Sequence, residues 1–206
     1  MKKIIFVILH GSVYKDRYDT IVSTWGKDVD LLFYSDYEDK DKNIIKVSNR
    51  NDYHSNEEKH IHVLNFLKNN YTNYEWFFFC DDDTFVNTKK LMNCLDSFNP
   101  NSVHGSVMSC YPRDKSLKYC SGGAGYLIHR NLINKISENI KVINSGYSDV
   151  TLGYFLRENN IDVVNYDWFR SQPPSYFNYK IEEISNYITF HYIKTKEEMS
   201  KLTHIL

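Results

Sequence analysis

The sequence predicts an α/β fold: a mainly parallel central sheet flanked by helices. Three observations predict it. Apolar runs alternate with helical segments along the chain. The runs are short and continuous, as strands buried on both faces require. No repeat, low-complexity linker or composition break divides the 206 residues, so one domain over 1–206 is expected.

Lys3 to Leu9 reads as the first buried strand, and Tyr14 to Trp25 as a helix. Val29 to Ser35 and Ile44 to Val47 are the next strands. Ser55 then opens a helix with a Ser55-x-x-Glu58 capping box, its apolar face carried by Ile61, Leu64 and Leu67. Trp76 to Cys80 is a fourth strand, aromatic on both sides. A helix over Thr88 to Phe98 stops at Asn99-Pro100, because proline restricts the residue before it. Ser102 to Met108, Gly125 to Ile128 and Tyr187 to Tyr192 are later strands, with helices at Asn131 to Ile140 and Val150 to Arg157. In such sheets ligands bind beyond the carboxyl ends of the strands, so sites are expected just after each one.

Composition narrows the class. Hydrophobic residues make up 42% and charged residues 25%, as in globular proteins. A net charge of −1 lacks the basic footprint of a nucleic-acid binder. No apolar segment is long enough to span a bilayer. Ile4 to Leu9 is too short for the apolar region of a signal peptide. Cys80, Cys94, Cys110 and Cys120 form no CxxC pair, so free thiols are expected, a Cys110–Cys120 bridge being conceivable in a secreted protein.

The sharpest motif is Asp81-Asp82-Asp83-Thr84, directly after the fourth strand. Three adjacent carboxylates repel one another, and at the end of a buried strand they cost stability unless a cation neutralises them. A divalent metal with oxygen ligands does so, and needs only one or two protein carboxylates if it also holds a diphosphate. The plain alternative is a solvated turn with capping Asp residues. Asp81-x-Asp83 also partly fits the Asp-x-Asp-x-Thr/Val pattern of haloacid-dehalogenase-type phosphatases, but Phe85 occupies the last position.

Three weaker motifs follow. Ser121-Gly122-Gly123-Ala124-Gly125-Tyr126 holds the only alanine of the chain among glycines, which suggests that a larger side chain does not fit there. Asp149 sits where a helix starts, either as an N-cap or projecting into a cleft as a general base. His191 lies in the apolar stretch Ile188-Thr189-Phe190-His191, where a histidine is ordinarily a hydrogen-bonded core residue.

Taken in order, these segments resemble the Fringe-like β-1,3-glycosyltransferases, which include the core-1 galactosyltransferases. The resemblance runs through Arg17 to Thr24-Trp25, Leu32-Phe33-Tyr34-Ser35-Asp36, Lys59, Trp76-Phe77 to Asp81-Asp82-Asp83-Thr84, Gly122-Gly123-Ala124-Gly125-Tyr126, Asp149-Val150 to Gly153, and Phe190-His191-Tyr192. It implies a GT-A fold, a UDP-sugar donor of the hexose or N-acetylhexosamine kind, and a divalent cation, Mn²⁺ or another such as Mg²⁺, at the DxD motif. It implies Asp83, His191 and Asp81 at the metal, and Asp81, Asp82, Arg17 and Lys59 at the donor. Gly122, Gly123, Ala124, Gly125, Tyr126 and Trp76 are implied around the sugar and acceptor pocket. Asp149 is implied as the base of an inverting transfer to a glycan, glycopeptide or other hydroxyl acceptor. Inverting displacement needs one base and charge stabilisation of the leaving diphosphate, not a second catalytic carboxylate.

Ser148 departs from the acidic residue that often precedes the base in relatives. Relatives are usually Golgi proteins with an N-terminal anchor; this chain shows none, so a cytoplasmic location is expected unless an anchor has been removed. A second functional class is a catalytically silent nucleotide-sugar or glycan-binding module on the same fold.

Overall fold

The computed structural model describes residues 2–206. In chain order it contains β1 (Lys2–Leu9), α1 (Lys15–Val22), β2 (Leu31–Ser35), β3 (Ile44–Lys46), α2 (Asn56–Asn70) and β4 (Tyr74–Asp81). There follow β5 (Phe85–Val86), α3 (Thr88–Cys94), β6 (Val103–Gly105), β7 (Val107–Met108), β8 (Tyr119–Cys120), β9 (Tyr126–His129) and α4 (Arg130–Asn139). The last are α5 (Ser148–Glu158), β10 (Val163–Asn165), β11 (Phe169–Arg170), α6 (Pro174–Phe177), α7 (Ile181–Ile184), β12 (Thr189–Phe190) and α8 (Lys196–His204).

Seven strands form the central sheet in the order β10-β6-β9-β4-β1-β2-β3. Only β9 runs against its neighbours β4 and β6. The mainly parallel α/β architecture expected from the sequence is therefore present. Alternation along β4 splits the core. Trp76, Phe78 and Cys80 face one layer with Ile21 of α1 and Met199 and Leu202 of α8. Phe77 and Phe79 face the other, with Val63, Leu64 and Leu67 of α2, Ile133 and Ile136 of α4, and Phe155 of α5. Burial on both faces is why β1 and β4 read as unbroken apolar runs. No helix of the described residues is long and apolar enough to cross a membrane.

Several local expectations are corrected. The Ser55 capping box does not form: Tyr53–Ser55 is a 3-10 turn, capped by Asp52, which accepts from the Ser55 N–H at 3.1 Å. The Ser55 hydroxyl instead donates to the Asp52 carbonyl at 2.6 Å. Val63, not Ile61, is in the core. The expected strand over Ser102 to Met108 breaks at Ser106, and β7 leaves the main sheet to pair with β8. The helix expected to reach Phe98 ends at Cys94, and Leu95–Ser97 tightens into a 3-10 turn. All four cysteines are free thiols.

His60 on α2 is buried between Tyr34, Phe79 and Tyr126, and Nε2 lies 3.1 Å from the Tyr126 hydroxyl. Burial lowers its pKa to about 4. The folded state thus disfavours the protonated form that the unfolded chain readily takes. This contribution is fully present above the unfolded value near 6.5 and is lost as pH falls toward 4, up to about 3 kcal/mol. Urea midpoints measured from pH 7 to 4 should fall more steeply for the native chain than for His60→Gln. Parallel curves would show that His60 is not an acid-sensitive site.

Candidate active site

The site is built at the carboxyl ends of the two central strands. Asp81 closes β4, and Leu9, its register partner, closes the adjacent β1. His10 therefore lies beside the acidic turn, and its Nδ1 is 2.8 Å from Asp82 Oδ2. The other Asp82 oxygen accepts from Arg17 at 2.5 Å. Asp82 is thus held between two partners, although it borders the cleft.

A small second sheet supplies the distant member. β12 pairs antiparallel with β5, placing Phe190 opposite Phe85. The Ile193 N–H donates to the Asp83 carbonyl at 2.8 Å, and the His191 N–H to the Arg170 carbonyl at 3.1 Å. The His191 ring is so brought to Asp83, with Nε2 at 3.1 Å from Oδ1 and 3.7 Å from Asp81 Oδ2. Asp81, Asp83 and His191 each offer a ligand atom within 4.8 Å of the others. Two carboxylates and an imidazole suit a divalent cation.

The electrostatics agree with that fit. Burial raises the Asp81 carboxyl to about 7, helped by Asp83, Asp82 and Asp149 and opposed by His191. Its side chain is 37% open to the cleft, so water tempers this penalty. For Asp83, burial works upward but is outweighed by the His191 hydrogen bond and charge and by Arg17, and the net shift is downward. The two carboxylates thus differ: the ionised form of Asp83 is favoured by its neighbours, whereas that of Asp81 is disfavoured by burial and by the other carboxylates.

The glycine loop packs against this group. A Cβ on Gly123 would fall 2.0 Å from the His191 ring, so no side chain fits there while the imidazole keeps its place. Gly125 has φ +77, and a Cβ there would meet Phe78 at 2.4 Å. Thr84 Oγ1 donates to the Gly123 carbonyl and Thr189 Oγ1 to that of Ala124, tying the loop to β12 and to the residue that leads into β5. Asp149 lies in the first turn of α5, after Tyr147 as N-cap. Its Oδ2 accepts from Gly122 N–H at 3.1 Å and its Oδ1 from Val150 N–H at 2.8 Å. Burial raises its pKa, and those backbone donors oppose the rise.

Two cavities meet at Asp81, His191 and Tyr192. One, about 340 Å³, is bordered by Arg17, Lys59 and Lys194. The other, about 320 Å³, is lined by Gly122, Gly123 and Asp149. Lys59 is almost fully buried, and burial lowers its pKa against the opposing pull of Asp36 and Asp52. Ala124, Gly125 and Tyr126 stand behind the loop rather than in the pocket; Tyr126 stacks on Phe79. Trp76, expected at the pocket, lies in the core against Phe98, His104 and His129. It precedes Asp81 by five strand residues, roughly 16 Å. The sequence reading missed His10, Tyr53, Tyr147 and Lys194. Only His10 carried a signal, as the residue just beyond a buried strand.

A family model described as Fringe-like matches residues 2–204. Among solved structures, a glycosyltransferase involved in glycosylation of the major capsid of PBCV-1 is similar with a TM-score of 0.60 at 12% identity, over 99% of this chain and 100% of that one. The galactosyltransferase LgtC, solved in complex with donor and acceptor sugar analogs, gives 0.51 at 13%, over 98% and 96%. The apo-form glycosyltransferase GlyE of Streptococcus pneumoniae TIGR4 gives 0.56 at 12%, over 98% of this chain and 60% of that one. At such identities the likeness is one of fold, the GT-A fold. The family match leaves almost no part of the chain outside it, and the chain belongs to the Fringe-like family of GT-A glycosyltransferases.

Proposed function

We propose that the protein is a metal-dependent, inverting glycosyltransferase that moves a hexose or N-acetylhexosamine from a UDP-sugar to an acceptor hydroxyl, with β-1,3 linkage by resemblance. One observation carries the reading. Three cationic side chains border only one of the adjoining cavities, and the Asp149 carboxylate lines only the other. This division suits a diphosphate on one side and a hydroxyl awaiting deprotonation on the other.

Asp81, Asp83 and His191 would hold a divalent cation, Mn²⁺ or Mg²⁺. When bound, it supplies Lewis-acid stabilisation of the leaving diphosphate. Arg17, Lys59 and Lys194 add positive charge on the donor side. Asp82, at the border of the same cavity, positions Arg17. Asp149 accepts the acceptor's proton; its raised pKa makes it a stronger base than an exposed carboxylate. Gly122 fixes the orientation of that carboxylate through its N–H.

A thermal-shift titration tests the donor assignment. UDP should raise the melting temperature only when Mn²⁺ is present, by several degrees at roughly a hundredfold excess over the dissociation constant. No response to UDP with Mn²⁺ would overturn the reading.

A further inference from the structure

We infer that the acceptor is an uncharged pyranoside, and that Tyr147, with Tyr53, selects it by stacking. This rests on the glycosyl-transfer reading and narrows its substrate.

The first observation is charge. Among the described residues no lysine or arginine lines the cavity that holds Asp149, and Asp149 is its charged side chain apart from Asp81 and His191, which would hold the cation. A uronate, sialylated or phosphorylated acceptor would bring an anion to the Asp149 carboxylate with no lysine or arginine to meet it. Like charges so placed suppress the wrong partner. The neighbouring cavity shows the contrast, since Arg17, Lys59 and Lys194 border it.

The second observation is aromatic. Tyr147 and Tyr53 line the cavity yet remain 44% and 63% exposed. Their ring centroids are 5.9 Å apart at 78°, so each braces the other edge-on. Tyr111 stands behind Tyr147 at 6.2 Å and 79°. Aromatic faces carry negative charge, and the axial C–H groups of a pyranose carry a weak positive one. A braced ring loses little freedom on binding, which suits a flat, uncharged ligand. Ser148, Ser171 and Gln172 line the same cavity and offer hydrogen bonds to its hydroxyls.

The third observation links the ring to the chemistry. Tyr147 is the N-cap residue of α5, two residues before Asp149. The same end of one helix therefore carries the stacking ring and the carboxylate. Tyr147 borders only the Asp149 cavity, whereas Tyr53 borders both, so Tyr147 is the cleaner test.

Saturation-transfer NMR would be recorded with UDP and Mn²⁺ present. The probes are methyl galactoside, methyl glucoside, methyl N-acetylglucosaminide and methyl N-acetylgalactosaminide, against methyl glucuronide. At least one neutral glycoside should bind, with the glucuronide roughly tenfold weaker. Tyr147→Ala should weaken that binding about fivefold, and Tyr147→Phe should restore it, since stacking and not the hydroxyl is at work. The UDP and Mn²⁺ thermal shift should be the same in both variants as in the native chain. Equal binding of the glucuronide, unchanged binding in Tyr147→Ala, or no binding of any neutral glycoside would each overturn the inference. Failure of UDP with Mn²⁺ to stabilise the native chain is a separate result, and overturns the transferase reading instead.

Discussion

Asp149→Asn is expected to slow sugar transfer by about 10²–10⁴-fold while leaving UDP binding nearly intact. The substitution keeps the shape of the side chain and removes its capacity to take a proton. Burial holds the native carboxyl above its ordinary range, so the acid limb of the rate profile should lie closer to neutrality than for an exposed aspartate. The active form is the deprotonated one, so activity should climb with pH through that limb and the limb should vanish in the variant. A stability cost accompanies the change. Both oxygens accept backbone N–H groups, from Gly122 and Val150, and an amide can accept only one of them. Leaving the other unpaired costs about 1 kcal/mol, offset by relief of the burial penalty on the charge, so the melting temperature should fall by no more than roughly 2–4 °C. Transfer within tenfold of native, or equal loss of UDP binding, would remove Asp149 from the role of base.

The central strands were legible because both faces of β1 and β4 are buried. Burial of that kind writes itself as an uninterrupted apolar run. The interruptions were fainter. Ser106 separates β6 from β7 because the chain must leave the main sheet to pair with β8, and Gly105-Ser106 inside the apolar run is the mark of that departure, one that the pattern reading passed over. The start of α2 misled for a related reason. Ser55-x-x-Glu58 has the pattern of a capping box, but Asp52, three residues earlier, takes the Ser55 N–H first.

For the site, order along the chain was informative and orientation was not. Asp81, Asp83 and His191 converge, although 108 residues separate Asp83 from His191, because β12 pairs with β5. Which face a residue presents depends on register that sequence alone does not show. Trp76 shares a strand with Asp81 and still belongs to the core. Asp82 shares the acidic turn and is occupied by His10 and Arg17. Tyr53 and Tyr147 are ordinary loop tyrosines in the sequence, and only the folded loops set them edge to face.

The second large effect concerns the two carboxylates proposed for the metal, which should part company in stability while agreeing in function. Either Asp83→Ala or Asp81→Asn is expected to weaken the Mn²⁺-dependent binding of UDP by at least about 10–100-fold, the range known for damage to a metal's supporting shell. Without metal their effects should have opposite signs. Asp83 has a lowered pKa: its ionised form is favoured in the fold by His191 and Arg17, and stability is lost when it is removed. Asp81 has a raised pKa, about 7, against an ordinary value near 3.8. The folded state therefore carries a penalty that grows as pH rises through that window and is complete above 7. Asp81→Asn removes it, and after allowance for cleft water the gain is about 1 kcal/mol, or 2–4 °C at pH 8, fading toward pH 4. Melting curves with and without Mn²⁺ and UDP, at pH 5 and pH 8, read both effects at once. A native-like cation response in Asp83→Ala would remove Asp83 from the metal. A metal-free Asp81→Asn variant less stable than the native chain at pH 8 would show that Asp81 is a structural residue rather than one held in place for its cation.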